Sequence, residues 1–400
     1  MNLSSRVQAI KPSPTLAVTA RAAALKAEGR DIIGLGAGEP DFDTPQHIKD
    51  AAIDAINRGF TKYTAVDGTP SLKAAIIAKY KRDNGLDYTP KQILVSCGGK
   101  QSFFNLVQAV INPGDEVIIP APYWVSYPDI VILADGKPVI IDAGIEQGFK
   151  ITAAQLQASI TPRTRLVVIN SPSNPSGAVY SSDELAALGD VLRQHPQVLI
   201  ATDDMYEHIR FGDAAFVNLL NVCTDLYDRT LVLNGVSKAY AMTGWRIGYA
   251  AGPEAIIRAM CNVQSQSTSN PTSISQVAAE AALNGDQGCI RPMLDAFKQR
   301  HRFVVDGLNK IPGFKCVDSG GAFYAFPDVR EAIARLNEQG VIQAASDVEF
   351  CEYLLNTTGI AVVPGSAFGA EGYIRLSFAT TNANLQEAVV RMSAALAGTR

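Results

Sequence analysis

Apolar residues in this chain recur in short unbroken runs, each followed by a small or polar turn and then by a stretch of helical periodicity. Ile93-Leu-Val-Ser-Cys97 leads into Gly98-Gly99-Lys100 and an apolar helical pattern through Val110. The runs at 116–120, 166–170, 198–202, 230–234 and 246–251 read the same way. Runs without polar alternation suit strands covered on both faces. Their alternation with helices predicts a mainly parallel sheet flanked by helices on both sides. From about residue 286 the order changes. One long helix over 286–309 is followed by the run 320–326, a helix near 347–356, strands at 360–363 and 373–378, and a closing helix. The proline-broken start Lys11-Pro-Ser-Pro14 and the stretch 34–45 are expected to pack with this part. The fold class is therefore α/β. A large, mainly parallel sheet domain over 46–285 is expected beside a smaller α+β domain made of 1–45 together with 286–400.

Four hundred residues are ample for two such domains. A formal net charge of −4 leaves no electrostatic footprint for nucleic acid or an anionic membrane. Any anionic ligand must then be held by a few placed cations. The six cysteines (Cys97, Cys223, Cys261, Cys289, Cys316, Cys351) form no Cys-x-x-Cys pair and read as buried reduced thiols. Met1 to Lys11 lacks the apolar core of a signal peptide, and no run of 18 apolar residues is present. These features predict a cytoplasmic protein with no membrane span. His47, His195, His208 and His301 show no metal-ligand spacing and receive no catalytic role; no metal is expected.

In open α/β sheets ligands collect beyond the carboxyl ends of the strands, and four such ends carry unusual residues. Cys97-Gly98-Gly99-Lys100-Gln101 lets backbone amides approach an anion at a helix start, although a plain turn fits it equally. Asn170-Ser-Pro-Ser-Asn174-Pro175 is a stiff loop, a candidate for a cis peptide bond, that projects Asn174; a purely structural turn is the alternative. Thr202-Asp203-Asp204-Met205-Tyr206 places two carboxylates at the end of a buried strand. Helix capping explains at most one of them, so a buried cationic partner is expected for Asp203. Finally, Ser237-Lys238 lies eight residues before Arg246 among small and apolar residues and flanking glycines. A partly desolvated lysine there would have a lowered pKa and a nucleophilic amine.

The segment from Ser237 to Tyr249 resembles the lysine signature of class I/II, fold-type I, pyridoxal-phosphate aminotransferases. Gly38-Glu-Pro-Asp41, Tyr63 before Gly68, Gly98-Gly99, Tyr123-Trp124, Asn170 to Pro175, Asp203 with Tyr206, Gly321-Ala-Phe-Tyr324 and Arg375 occur in the family's order across essentially the whole chain. Asp204 departs from the glutamate that relatives often carry there. Lys11-Pro-Ser-Pro-Thr15, Gly99-Lys100-Gln101 and Tyr123-Trp-Val-Ser-Tyr127 are similar to the bacterial aspartate aminotransferase subgroup that includes aspartate/prephenate aminotransferases.

The resemblance implies that Lys238 carries pyridoxal phosphate and moves the proton during transamination. Asp203 would pair with the pyridine nitrogen, Tyr206 and Asn174 would bond the phenolic oxygen, and Trp124 would stack on the ring. Gly99, Lys100, Ser237, Arg246 and Tyr63 would hold the phosphate, Tyr63 coming from the neighbouring subunit of a homodimer with shared active sites. Arg375 would clamp the substrate α-carboxylate in a bidentate geometry, with Gly38 contributing backbone. Trp124 and Asn174 would also face the substrate. The distal carboxylate of aspartate or glutamate would meet Lys100, and prephenate would meet Lys11, whose proline-rich segment could close as a lid; a merely solvated Lys11 is the alternative. The partners implied are amino acids and 2-oxo acids. Another fold-type I enzyme, such as an alanine or aromatic aminotransferase or a β-lyase, shares most of these residues. A ligand-sensing regulator would need a DNA-binding module ahead of Gly38. A nicotinamide dehydrogenase would need a helix after Gly34-Leu-Gly36-Ala-Gly38, where Glu-Pro-Asp stands instead.

Overall fold

The computed structural model describes residues 2–343 and 346–397. Two helices, Ser5–Ala9 and Pro14–Ala27, precede a two-residue strand, β1 (Ile33–Gly34). Seven strands then build the main sheet: β2 (Ile93–Ser96), β3 (Glu116–Ala121), β4 (Lys137–Asp142), β5 (Thr164–Asn170), β6 (Leu199–Asp203), β7 (Thr230–Gly235) and β8 (Gly248–Ala251). Their spatial order is β2-β8-β7-β6-β5-β3-β4. All neighbours are parallel except β8, which runs antiparallel to both β2 and β7.

Alternate residues of each central strand enter different cores. Ile118, Val167, Ile200 and Val232 pack on one face; Val117, Leu166, Val168, Leu231 and Leu233 pack on the other. Because helices cover both faces, neither set is polar, which is why the strands read as unbroken apolar runs. Full burial of each such side chain contributes about 1.5–3 kcal/mol. The edge strand β4, Lys137-Pro-Val-Ile-Ile-Asp142, escaped the sequence reading. Only its Ile141 is buried, so it carries the polar and proline positions an edge permits.

A third core gathers Phe297, Val304, Leu308, Phe323, Phe350, Leu354, Ile374, Phe378 and Met392. It lies among the helices Arg291–Leu308, Asp347–Thr358 and Asn382–Ala397 and the small strands β9 (Tyr324–Ala325), β10 (Ile360–Ala361), β11 (Val363–Pro364) and β12 (Ile374–Ser377). β11, β12 and β9 form an antiparallel sheet, and β10 pairs with β1. The helix expected over 286–309 begins instead as a 3-10 turn, Gln287–Ile290, with Asp286 accepting from Gly288 N. The α-helix proper starts at Arg291 with Pro292 in its first turn.

Candidate active site

The carboxyl ends of β2, β5, β6 and β7 lie side by side, and because β8 is antiparallel its first residue joins them. The register pairs Asn170 with Asp203, Asp203 with Leu233, and Gly248 with both Gly235 and Ser96. A cleft of about 400 Å³ opens above these ends. It is lined by Gly38, Gly99, Lys100, Trp124, Asn174, Asp203, Tyr206, Ser237, Lys238, Arg246 and Arg375, which brings together eleven of the thirteen residues picked out in the sequence.

Lys238 follows β7 by three residues, and its Nζ donates to Gly38 O at 2.5 Å. Burial, then the nearby guanidinium groups of Arg375 and Arg246, lower its pKa to about 8, against the opposing pull of Glu39 and Asp203. Asp203 ends β6. Its Oδ2 accepts from Tyr127 OH at 2.5 Å and its Oδ1 from Met205 N at 3.2 Å. Among the described residues no lysine or arginine forms an ion pair with it. Burial pushes its pKa up despite those two donors. Neither aspartate caps a helix, because turns follow β6. Asp204 faces away from the cleft and is buried against Asn218.

Tyr206 is buried, its hydroxyl 2.8 Å from that of Tyr324. Arg375, in β12, is 2% exposed. It donates to Asn174 Oδ1 at 2.9 Å and Gly36 O at 2.7 Å, and its guanidinium lies 4.5 Å from the Tyr324 ring centre. Its Nε has no partner, and among the described residues no carboxylate pairs with it. A buried guanidinium without an anion is a costly arrangement that a carboxylate ligand would relieve. Asn174 sits in the stiff loop, where both Ser171-Pro172 and Asn174-Pro175 are cis.

Opposite lies an anion cup. The helix Gly99–Val110 begins at the cleft, so its first free amides point there. Gly98 has φ +90°, and a Cβ on it would stand 2.2 Å from Arg246 Nη2. Arg246 itself is left-handed at φ +58°, a conformation uncommon outside glycine, and donates to Thr243 O and Cys97 O. Lys100 Nζ sits 5.2 Å from the Trp124 ring centre. Partial burial, with Arg246 adding to it, lowers the Lys100 pKa.

Two expected residues lie outside this cleft. Tyr63 is 91% exposed on its own chain. Lys11 borders an adjoining hollow that shares Ser13, Lys100, Ser126 and Arg246 with the cleft, and its backbone N–H and its charge both act on Asp129. The reading of sequence missed Tyr127 and Glu39 as site residues. Tyr127 stood in a quoted motif, but nothing local showed that it would reach Asp203, 76 positions away.

The family model for aminotransferase class I and II matches residues 30–392. An aspartate/prephenate aminotransferase of Nitrosomonas europaea is 70% identical over 396 residues, spanning 99% of this chain and all of the relative. One from Cereibacter sphaeroides is 56% identical, covering 99% of each chain. Among solved structures, the aspartate aminotransferase of Rhizobium meliloti superposes with a TM-score of 0.93 at 50% identity, covering 99% of each chain. That of Thermus thermophilus, solved with maleate, gives 0.92 at 42% identity over 99% of this chain and all of the other. With the family model, the sequences of relatives and the fold in agreement over nearly its whole length, the chain belongs to the class I and II aminotransferases.

Proposed function

We propose that the chain is a pyridoxal-phosphate-dependent aspartate aminotransferase that also serves prephenate, moving an amino group between aspartate or glutamate and a 2-oxo acid. One observation carries the reading. A lysine amine with a pKa near 8 stands between a half-buried carboxylate, Asp203, and a buried guanidinium, Arg375, that lacks an anion among the described residues. The cup fits a phosphate: the helix amides at Gly99, the Ser237 hydroxyl and Arg246 converge where a side chain on Gly98 would collide.

In this reading the phosphate is held by Gly99, Lys100, Ser237, Arg246 and a partner copy's tyrosine at position 63. Trp124 would face the ring, and Tyr206 and Asn174 would meet its phenolic oxygen. When bound, the cofactor supplies an electron sink for the substrate Cα carbanion. Asp203, oriented by Tyr127 and Met205 N, pairs with the pyridine N–H, the cation that the protein itself does not provide. Arg375 orients the α-carboxylate beside Gly38. With the cofactor bound, the Lys238 amine would hold and move a proton at the substrate Cα. Lys100 meets the distal carboxylate, and Lys11 the ring carboxylate of prephenate. The names of the relatives and the dicarboxylate maleate in the Thermus structure support this substrate class.

The shared homodimer is supported by the exposed Tyr63 together with exposed Ile53, Ile56 and Phe60 beside it. The two-domain division at 46–285 is supported by the two sheet cores, whose buried residues fall between Ile48 and Ile290. Six free cysteines favour a reducing, cytoplasmic setting, and no described helix is long and apolar enough to cross a membrane.

The test is a paired-substrate assay on purified, cofactor-loaded protein, with aspartate or glutamate as donor and 2-oxoglutarate, oxaloacetate or prephenate as acceptor. Turnover with both oxaloacetate and prephenate is expected. Turnover with oxaloacetate alone removes the prephenate assignment, and turnover with none removes the reading.

A further inference from the structure

Behind the cleft, on the far side of Asp203 and Tyr206, lies a dense polar network that the reaction as described does not use. Glu207, 6% exposed, is its hub. Its carboxylate pairs with the buried Lys79, accepts from Asn84 Nδ2 at 2.9 Å, and accepts from Asn234 Nδ2 at 2.7 Å. Lys79 Nζ also donates to Asn84 Oδ1 at 2.8 Å, and Asn221 Nδ2 donates to Asn84 O. Asn234 Oδ1 in turn accepts from Gly235 N at 2.7 Å, which sets the orientation of the amide. Asp83, Glu207 and His208 bring ligand atoms within 4.8 Å of one another. Arg82 already chelates Asp83 with two hydrogen bonds and Lys79 occupies Glu207, so the cluster is a charge-balanced network with no vacancy for a metal.

The network joins two segments that carry the site. Glu207 immediately follows Tyr206 in the turn after β6. Asn234 is the fifth residue of β7, four before Lys238. Gly235 has no slack between them: a Cβ there would stand 3.0 Å from Ile247 O and 3.1 Å from Met205 Cε. We infer that Glu207 is a positioning residue for transamination: its carboxylate, braced by Lys79, ties the turn bearing Asp203 and Tyr206 to the strand end bearing Ser237 and Lys238 through Asn234. The inference rests on the aminotransferase reading and adds to it the part that holds the ring-nitrogen partner and the lysine at a fixed separation. Burial alone would raise the Glu207 pKa; the charge of Lys79, with the hydrogen bonds from Asn84 and Lys79, outweighs it and lowers the group to about 2, so it accepts at every working pH. An acceptor-only group of fixed charge suits three converging donors.

Three variants separate positioning from folding. Asn234→Ala cuts the tie and leaves the Lys79–Glu207 pair. Lys79→Met with Glu207→Leu removes both charges and the acceptor. Lys79→Met with Glu207→Gln removes both charges but keeps an acceptor for Asn234. In the loaded enzyme, the first two are expected to lose kcat by about tenfold or more with KM for both substrates changed less than about threefold, because a displaced reacting group costs rate. The glutamine pair should recover kcat to within about threefold of the parent.

A second readout needs no cofactor: the pH dependence of Lys238 acetylation by acetic anhydride, located by peptide mass in the full chain. The charged groups facing this amine are Arg375, Arg246, Glu39 and Asp203. In Asn234→Ala and the leucine pair its midpoint should rise by about half a unit or more as the amine loses its fixed, desolvated place. Equal impairment of the glutamine and leucine pairs, or an unchanged midpoint in all three variants, would overturn the inference and leave the network a role in stability alone. If the parent chain itself fails to transaminate, the aminotransferase reading falls, and the acetylation midpoints still decide whether the tie exists.

Discussion

The amine of Lys238 draws its chemistry from where it is placed. Removing it in Lys238→Ala should lower turnover by about 10³-fold or more, since it takes away the proposed base for the Cα proton; retained multiple turnover would end the assignment. Its low pKa also has a stability consequence. Below about pH 8 both folded and unfolded chains hold the proton, and the folded chain bears the cost of desolvating it. Between about 8 and the ordinary lysine value near 10.4 the folded chain binds fewer protons, so stability rises with pH. Lys238→Met in the cofactor-free chain should therefore raise the thermal midpoint at pH 7, with the gain shrinking toward pH 10. A gain constant across that range would show an unperturbed amine. Arg375→Lys keeps the charge and loses the fork. A fall in kcat/KM of roughly 10–100-fold is expected, matching the ~1.5–3 kcal/mol of a hydrogen bond to a charged group. At Lys11, alanine should depress prephenate use more than oxaloacetate use, measured as the ratio of the two kcat/KM values; equal losses would make Lys11 a bystander.

At the scale of elements, the anion cup depends on one glycine. The turn from β2 into the helix Gly99–Val110 needs φ +90° at Gly98 and leaves no room for a methyl group against Arg246. Gly98→Ala should thus cost about 1–3 kcal/mol of stability through backbone strain and weaken cofactor affinity, read by equilibrium titration of the unloaded chain. Unchanged affinity would mean that the cup does not hold the phosphate. The glycine pair was visible in the sequence as a permissive turn. Its partner was not, because Arg246 reaches Gly98 only when β8 lies antiparallel beside β2. The same applies to Asp203: the strand announced a costly carboxylate, but which side chains would meet it was not visible, and Tyr127 reaches it from 76 positions away.

For the whole molecule, the cleft is lined by residues from both ends of the chain: Arg375 donates to Gly36 O, and Lys238 donates to Gly38 O. Tyr63 projects into solvent from the single chain. If a second copy receives it, mixing Lys238→Ala and Tyr63→Ala chains should rebuild one intact site per mixed dimer. Activity at limiting cofactor should then exceed the sum of the two variants alone. Strict additivity would place the whole site within one chain.

The chain's own sequence determined the alternation of buried strands and helices, and with it the α/β class, because strands covered on both faces must be apolar throughout. Glycine pairs, prolines and charges at strand ends marked several residues of the cleft, and the resemblance to a known family supplied the others, Gly38, Trp124 and Arg375 among them. Tertiary structure alone decided the sheet order, the reversal of β8, and the separations across 76 or more positions that bring Tyr127 to Asp203 and Asn174 to Arg375. Local patterns record which face of an element is buried; they hold no record of which distant side chain will fill the space against it.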